Sequence, residues 1–548
     1  MDYSEIDHIS RTCFPNNNLK NIQYGTAGFR MRAELLNHVV YRMGILSVLR
    51  SKFLNGAGIG LMITASHNEE PDNGIKIVDP AGEMLESDWE EIATMLVKVQ
   101  DTELIETIKS IIKDKNIDEN SSASVIIGRD SRESSLALSK AAIKPIEILK
   151  ATVKDFGIIT TPQLHYLVVC INSNGVYGVP TIDGYFDKLS NAFIKSQTIE
   201  NKINNKKYSY TNQLYVDAAN GVGAFAAKEF KKQLNNIITI NIFNDGAGKL
   251  NYKCGADYVK IHQAPPLNNP SKLNIKCASI DGDADRLVYY YVDENNKFNL
   301  LDGDKIAILI VSYLKELIEA SGLSINLGLV QTAYANGAST NYVTEILNVP
   351  VAFTETGVKH LHHRAQQFDI GVYFEANGHG TVIFRDEIIK MIRNSTLNKE
   401  ISNQQRESVL KLSNLIDIIN QTVGDALSDM LLVETILYAR DWDIVMWKEC
   451  YLDFPNRQLK VKVKDRNIIK TTDAERKCIS PIGLQEKIDE IVSHYPKGRS
   501  FVRASGTEDI VRVYAECQDP MDVEKLAAQV SLAVYQFAGG VGEIPIAI

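Results

Sequence analysis

The stretch GIGLMITASHNEEPDNGIKI, Gly58 to Ile77, changes character halfway along. An apolar run through Ile59, Leu61, Met62 and Ile63 stops at Thr64-Ala65-Ser66-His67, and a polar turn leads to Gly74-Ile75-Lys76-Ile77. A short apolar run bounded by turn residues reads as a buried strand. This one delivers a single serine into a loop, with His67 beside it and Lys76 further on. A hydroxyl at a strand end can tie down a turn. It can equally be a nucleophile, or the carrier of a covalent group. The rest of the chain chooses between these.

Comparable runs recur at 125–130, 213–221, 237–243, 277–283, 287–293, 328–335, 351–356, 370–378, 458–464 and 509–516. Helical periodicity fills 87–99, 136–150, 304–320, 424–440 and 521–537. Such alternation predicts α/β layers with mostly parallel pairing. At 548 residues the chain is too long for one core, and its length predicts about three or four domains. The polar stretches 115–124 and 201–212 read as exposed loops, the second marking a boundary, and 392–422 reads as a long helical insertion. No internal repeat is visible in the sequence.

Composition excludes several function classes. Hydrophobic content of 45% and charged content of 23% are those of a globular protein. A net charge of −9 provides no positive field to recruit nucleic acid or an anionic membrane, so any bound anion must be captured locally. Seven scattered cysteines without a CxxC pair predict reduced thiols, with neither a disulfide framework nor a zinc site. The acidic start MDYSEIDHISR resembles no targeting segment, and runs such as 306–314 are too short to span a bilayer. The expectation is a soluble cytoplasmic protein with no nucleic-acid or membrane partner.

Three further patches carry chemistry. In SIDGDADRLVYY, 279–290, Asp281, Asp283 and Asp285 alternate with small residues between two strands, and Arg286 follows. Carboxylates at this density repel one another unless a cation neutralises them, and hard oxygen ligands suit Mg²⁺. In FVRASGTEDIVRVYAE, 501–516, the turn Ser505-Gly506-Thr507 lies between Arg503 and Arg512. Backbone amides around a glycine, with an arginine fork, can hold a phosphate. In FEANGHG, 374–380, Glu375 and Asn377 offer hydrogen bonds to sugar hydroxyls. Upstream, Thr356-Gly357 ends another strand.

Together these patches resemble the α-D-phosphohexomutase superfamily, and within it the phosphoacetylglucosamine mutase branch. The motifs TASHN…NGIK around Ser66, DGDADR at 281–286, EANGHG at 375–380 and RASGTEDIVRVY at 503–514 span residues 64 to 514 in the family's order. GTAGFR at 25–30 matches the family's N-terminal signature and places Arg30 at the site. The EANGHG loop selects the branch, because relatives acting on plain hexose phosphates usually carry a Glu-Glu-Ser type loop there.

The resemblance implies a four-domain, heart-shaped α/β molecule. Three related mixed α/β domains would occupy 1–190, 191–298 and 299–454, and a smaller α+β C-terminal domain 455–548. It implies that Ser66 is the phosphoserine and, with Asp281, Asp283 and Asp285, binds one Mg²⁺. The phosphate already on the sugar would be gripped by Arg503, Ala504, Ser505, Gly506, Thr507 and Arg512. Thr356, Gly357, Glu375, Ala376 and Asn377 would hold the sugar. Lys76, His67 and Arg30 are the candidates for moving the proton, with Lys76 preferred. The implied reaction interconverts N-acetylglucosamine 6-phosphate and 1-phosphate for UDP-N-acetylglucosamine synthesis. It would run through a sugar 1,6-bisphosphate that also acts as activator, in a monomer or weak dimer. The alternative is a phosphoglucomutase or phosphomannomutase acting on non-acetylated sugars.

Overall fold

A computed structural model describes residues 2–19, 22–199, 209–505 and 509–546, so most of the expected boundary at 201–212 lies outside the described residues. The chain forms two compact units. One comprises Met1–Asp302, Asn377–Thr381 and Ser413–Ile444, and the other Gly303–Ala376, Val382–Leu412 and Val445–Ile548.

In the first unit β1 (Phe29–Arg32), β2 (Gly58–Ile63), β3 (Asp72–Val78), β4 (Ser124–Arg129) and β5 (Thr152–Ile158) form a sheet in the order β5-β4-β2-β3-β1. Its pairings run parallel, parallel, antiparallel, antiparallel. A second sheet contains β6 (Gln213–Asp217), β7 (Thr239–Phe243), β8 (Cys277–Ile280), β9 (Leu287–Val292) and β10 (Phe298–Leu301). Its order is β7-β6-β8-β9-β10, with the same succession of directions. A third sheet, β11 (Leu327–Gln331), β12 (Val351–Phe353), β13 (Ile370–Phe374) and β14 (Gly380–Phe384), has the order β12-β11-β13-β14 and begins with two parallel pairings.

The second unit also holds β15 (Asn456–Lys462), the hairpin of β16 (Lys470–Thr472) and β17 (Lys477–Ser480), then β18 (Arg499–Ala504) and β19 (Ile510–Glu516). Strands β15, β19 and β18 make an antiparallel sheet.

Pairing is therefore mixed, which corrects the expectation of mostly parallel strands. A parallel step needs a long crossover, whereas antiparallel neighbours can be joined by a short loop. Those short loops are where the motifs lie. Residues 64–71 join β2 to β3, 281–286 join β8 to β9, 375–379 join β13 to β14, and 505–509 join β18 to β19. The first three follow the innermost parallel strand of their sheet, so three equivalent turns carry three different chemistries.

Two other expectations change. Residues 392–422 do not form one helix, because Asp386–Ser395 and Asn403–Ile418 are separated by turns. The second helix restarts where Gln405 N–H donates to Ser402 Oγ and Ser402 N–H to Gln405 Oε1, a reciprocal cap. Helix Asn37–Phe53 went unread because every residue from His38 to Lys52 is buried, and a helix covered all round shows no amphipathic stripe.

His38 begins that helix fully buried, and neither ring nitrogen finds a hydrogen-bond partner among the described residues. Burial, aided by the charge of Arg42, pushes its pKa down to about 4. The unfolded chain therefore takes up a proton, at about the ordinary histidine pKa of 6.5, that the folded chain refuses. Stability from this group is complete above that pH and is lost as pH falls towards 4. His38→Leu should raise the melting temperature more at pH 5 than at pH 7.5, as differential scanning fluorimetry would record.

Candidate active site

Ser66 is completely buried and held in the left-handed region at φ 51°, a conformation that is costly for a residue with a Cβ. Its backbone is clamped from several sides. The N–H donates to Thr64 Oγ1 (3.0 Å), which itself donates to Asp130 (2.7 Å). The carbonyl accepts from Arg132 Nη2 (2.9 Å) and from Asn251 Nδ2 (2.8 Å). Arg132 also donates to the carbonyls of Asn68, Glu69 and Asp72 and is paired with Asp130. Gly282 lies so close beneath the loop that a Cβ there would stand 2.5 Å from the Ser66 carbonyl oxygen.

The clamped serine aims its hydroxyl at the acidic loop. Ser66 Oγ donates to Asp281 Oδ2 (2.7 Å) and lies 3.3 Å from His67 Nδ1. Asp281, Asp283 and Asp285 are all buried, and one oxygen from each falls within 4.8 Å of the others. Asp281 Oδ1 accepts from the N–H groups of Asp285 and Arg286. Asp283 Oδ2 accepts from Thr161 Oγ1 (2.6 Å) and Lys76 Nζ (3.3 Å), and Asp285 Oδ2 from Lys76 (3.4 Å).

Asp283 Oδ1 and Asp285 Oδ1 remain buried with no hydrogen-bond partner among the described residues. Burial, together with the charges of Asp285 and Asp283, pushes the Asp281 carboxyl well above the usual range. Burial acts the same way on Asp283, but Lys76, Thr161 and Arg30 outweigh it and hold that carboxyl low. Three buried carboxylates with two orphaned oxygens and one shared lysine are short of positive charge. They fit a hard divalent cation.

Two cationic residues and a neutral one surround the trio. Arg30, half-buried on β1, feels the charges of Asp283, Asp285 and Asp281, although burial lowers its pKa. Arg286 Nη1 donates to both oxygens of Asp257 (2.8 Å), while its Nε stays 3.8 Å from Asp285 Oδ1. His67 Nδ1 stands 3.3 Å from Asp257, and burial and the positive charge of Arg286 push its pKa down to about 3, so its ring is neutral. The turn Asn377–Thr381 belongs to the same unit. There Asn377 Oδ1 accepts from the His379 N–H (3.0 Å), and His379 Nδ1 lies 3.6 Å from Asp285 Oδ1. Gly378, at φ 87°, has no room for a Cβ, which would fall 1.9 Å from the Leu287 carbonyl oxygen.

The remaining predicted residues lie in the second unit. Arg503 and Arg512 face each other across β18 and β19, Ala504 is half-buried, and Ser505 N–H donates to the Ile510 carbonyl (2.8 Å). Gly506 and Thr507 are outside the described residues. Gly357 caps helix Val358–Ala365 at φ 132°, while Glu375 and Ala376 are half-buried at the end of β13.

Comparison with known proteins agrees along nearly the whole chain. The models for phosphoacetylglucosamine mutase AMG1 domains II and III match residues 178–288 and 302–442. Those for phosphoglucomutase/phosphomannomutase domain I and C-terminal domain match 36–103 with 90–178, and 459–533. The phosphoacetylglucosamine mutase of Homo sapiens is 51% identical over 525 residues, covering 96% of both chains. That of Saccharomyces cerevisiae is 44% identical over 547 residues, covering 95% of this chain and 96% of its own. The crystal structure of Aspergillus fumigatus N-acetylphosphoglucosamine mutase in complex with GlcNAc-6P and magnesium superposes with a TM-score of 0.91 at 45% identity, covering 98% of this chain and 99% of that one.

The chain belongs to the phosphoacetylglucosamine mutase family.

Within this family member, sequence reading missed Arg132, Asn251, Thr161 and Asp257, all of which touch the serine loop, the acidic loop or His67. None lies in the quoted motifs, and each is brought in by the fold. Thr161, next to the N-cap Thr160 of helix Thr161–Asn172, carries a local signal in its capping box. Arg132→Lys should keep the charge yet lose the fork that spans the loop carbonyls. With about 1.5–3 kcal/mol for each charged hydrogen bond lost, amide exchange across 64–72 should accelerate and the melting temperature fall. Unchanged exchange there would show that the loop holds itself.

Proposed function

We propose that this chain interconverts N-acetylglucosamine 6-phosphate and N-acetylglucosamine 1-phosphate, with the phosphoryl group carried on Ser66. The observation that carries the reading is the Ser66 hydroxyl, 2.7 Å from one carboxylate of a buried acidic trio that has two orphaned oxygens. The Aspergillus fumigatus relative was solved with GlcNAc-6P and magnesium, and a serine-to-alanine variant of it with glucose 1,6-bisphosphate. Asp281, Asp283 and Asp285, with an oxygen of the phosphorylated serine, would hold Mg²⁺. The ion would act as a Lewis acid that neutralises the transferring phosphoryl group.

The protein's own groups do the rest. Phosphorylated Ser66 carries about −1.5 to −2 charge, and Lys76 and Arg30 supply the positive counter-charge. Arg503, Ala504, Ser505, Gly506, Thr507 and Arg512 grip the phosphate that is not in transit. Thr356, Gly357, Glu375, Ala376 and Asn377 orient the sugar. The free sugar hydroxyl forms its bond to phosphorus as the bond to Ser66 Oγ breaks, and its proton passes to a nearby base. The resulting 1,6-bisphosphate turns over and returns its other phosphoryl group to Ser66 Oγ. Lys76 donates to two carboxylates, so its primary part is charge balance, and the proton-moving base is drawn from Lys76, His67 and Arg30.

The small Ala376 between Glu375 and Asn377 supports an acetamido sugar over a plain hexose phosphate, with Asn377 as the group that would bond the 2-substituent. We also propose a four-domain partition near residues 190, 298 and 454, supported by a main sheet for each segment, with helix Ile182–Ile199 running through the first position and β10 carrying the second sheet on to Leu301. The protein would work in the cytoplasm as a monomer or weak dimer. No helix among the described residues is long and apolar enough to cross a membrane.

Ser66→Ala should remove nearly all mutase activity and the phosphoryl mass that N-acetylglucosamine 1,6-bisphosphate adds to the parent chain. Retention of more than about a tenth of the rate, a barrier change of only ~1.4 kcal/mol, would overturn the covalent route. Parallel assays choose the sugar. kcat/KM for N-acetylglucosamine 1-phosphate should exceed that for glucose 1-phosphate by more than tenfold, since a site built to bond one substituent discriminates against its absence by far more than about tenfold. Equal values would return the alternative.

A further inference from the structure

The hairpin between β16 and β17 turns through Asp473, Ala474 and Glu475, all three in the left-handed region at φ 53°, 54° and 65°. Consecutive non-glycine residues in that conformation persist only where their surroundings over-determine them, and such strain collects at functional sites. Two anchors hold the turn. Arg476 bonds back to Asp473 (Nη2 to Oδ1 2.6 Å), and its guanidinium stacks 4.1 Å over the Phe353 ring at the end of β12. Glu475, with only 13% of its side chain exposed, accepts from Arg503 Nε (2.6 Å), from the Thr356 N–H (2.9 Å) and from Thr356 Oγ1. One carboxylate thus joins two predicted substrate contacts of the same unit, one on β18 and one in the segment just beyond β12.

The electrostatics explain why a carboxylate belongs there. Arg503 and Arg512 are directly opposed across β18 and β19, and like charges so placed repel. Glu475 balances one of them at Nε. A guanidinium fixed at Nε has its Nη fork oriented, and that fork is the part matched to phosphate oxygens.

We propose that Glu475 is a positioning residue for the phosphate grip, setting the Arg503 fork and locking the Thr356 segment to it. This rests on the reading that Arg503 contacts the non-reacting phosphate. Because Glu475 is itself anionic, the sign of its effect is diagnostic. A positioning carboxylate strengthens phosphate binding, whereas one that merely competes for Arg503 weakens it.

The test is steady-state kinetics on the full chain with N-acetylglucosamine 1-phosphate and 6-phosphate. Glutamine at 475 keeps one acceptor oxygen but cannot serve both Arg503 and Thr356. Glu475→Gln should therefore raise KM for both sugars about tenfold, as expected for one charged hydrogen bond, with kcat changed less than about threefold because binding lost equally in ground and transition state moves KM alone. Because the turn keeps its Arg476 anchor, the variant should still fold, with a lowered melting temperature. An unchanged or lowered KM overturns the inference.

Two Arg503 variants keep the test valid should Glu475→Gln not fold. Arg503→Ala should raise KM by at least about tenfold; if it does not, the phosphate-grip reading itself falls. Arg503→Lys keeps the charge but loses the Nε donor, and should raise KM nearly as far as Arg503→Ala. A lysine variant with the parental KM, alongside an impaired alanine variant, would leave the grip standing and refute the positioning role.

Discussion

Everything in the first unit is arranged around a single electrostatic problem, which is keeping three carboxylates buried within a few ångströms of one another. Isolated, such a cluster would take up protons or unfold its loop. Here Asp281 is tied by two backbone amides and the Ser66 hydroxyl, Asp283 by Thr161, and Asp283 and Asp285 share Lys76. The compensation is incomplete, since Asp283 Oδ1 and Asp285 Oδ1 accept no hydrogen bond among the described residues, the second having only the longer contacts to His379 Nδ1 (3.6 Å) and Arg286 Nε (3.8 Å). That shortfall supports the proposed cation site over a plain Asp-Gly turn. On the proposed reading, Ser66 would carry its phosphoryl group beside this trio only while a cation is held there.

The serine loop meets the problem from the other side. Its backbone is strained at Ser66, and the cost is offset by donors that come from outside the motif. Arg132 gathers carbonyls along the loop, and Asn251 binds two of the same carbonyls from the neighbouring sheet's loops. If Ser66 carries the phosphoryl group as proposed, its oxygen must stay fixed relative to the acidic trio. The buried arginine does this better than a lysine could, because five donors in a rigid plane reach several acceptors at once.

Fold and chemistry are connected by one repeated topological feature. In each of the first three sheets the strand after the parallel core reverses through a short loop, and nucleophile, acidic trio and sugar-loop motif occupy the three equivalent reversals. The C-terminal sheet uses a plain hairpin for the phosphate motif. A short reversal holds its residues at a defined height above the sheet, so divergent sequences can be placed at the same position in each repeat. This explains how the repeats persist in structure while none is visible in the sequence.

Read alone, the sequence determined the α/β class, the motif loops and the residue types proposed to bind phosphate, metal and sugar. These were legible because each depends on local order: an apolar run, a turn, and polar side chains at a fixed spacing. It did not determine the mixed strand directions, the break in the helical segment 392–422 or the fully buried helix Asn37–Phe53, since these depend on what packs against what. Nor did it reveal Arg132, Asn251, Thr161, Asp257 or Glu475, which act on residues far from them in the chain. Their roles come from burial and from hydrogen bonds that close only when separate sheets meet. Local pattern names the reacting groups, and tertiary structure alone decides which distant donors hold them at the angle and charge state the chemistry needs.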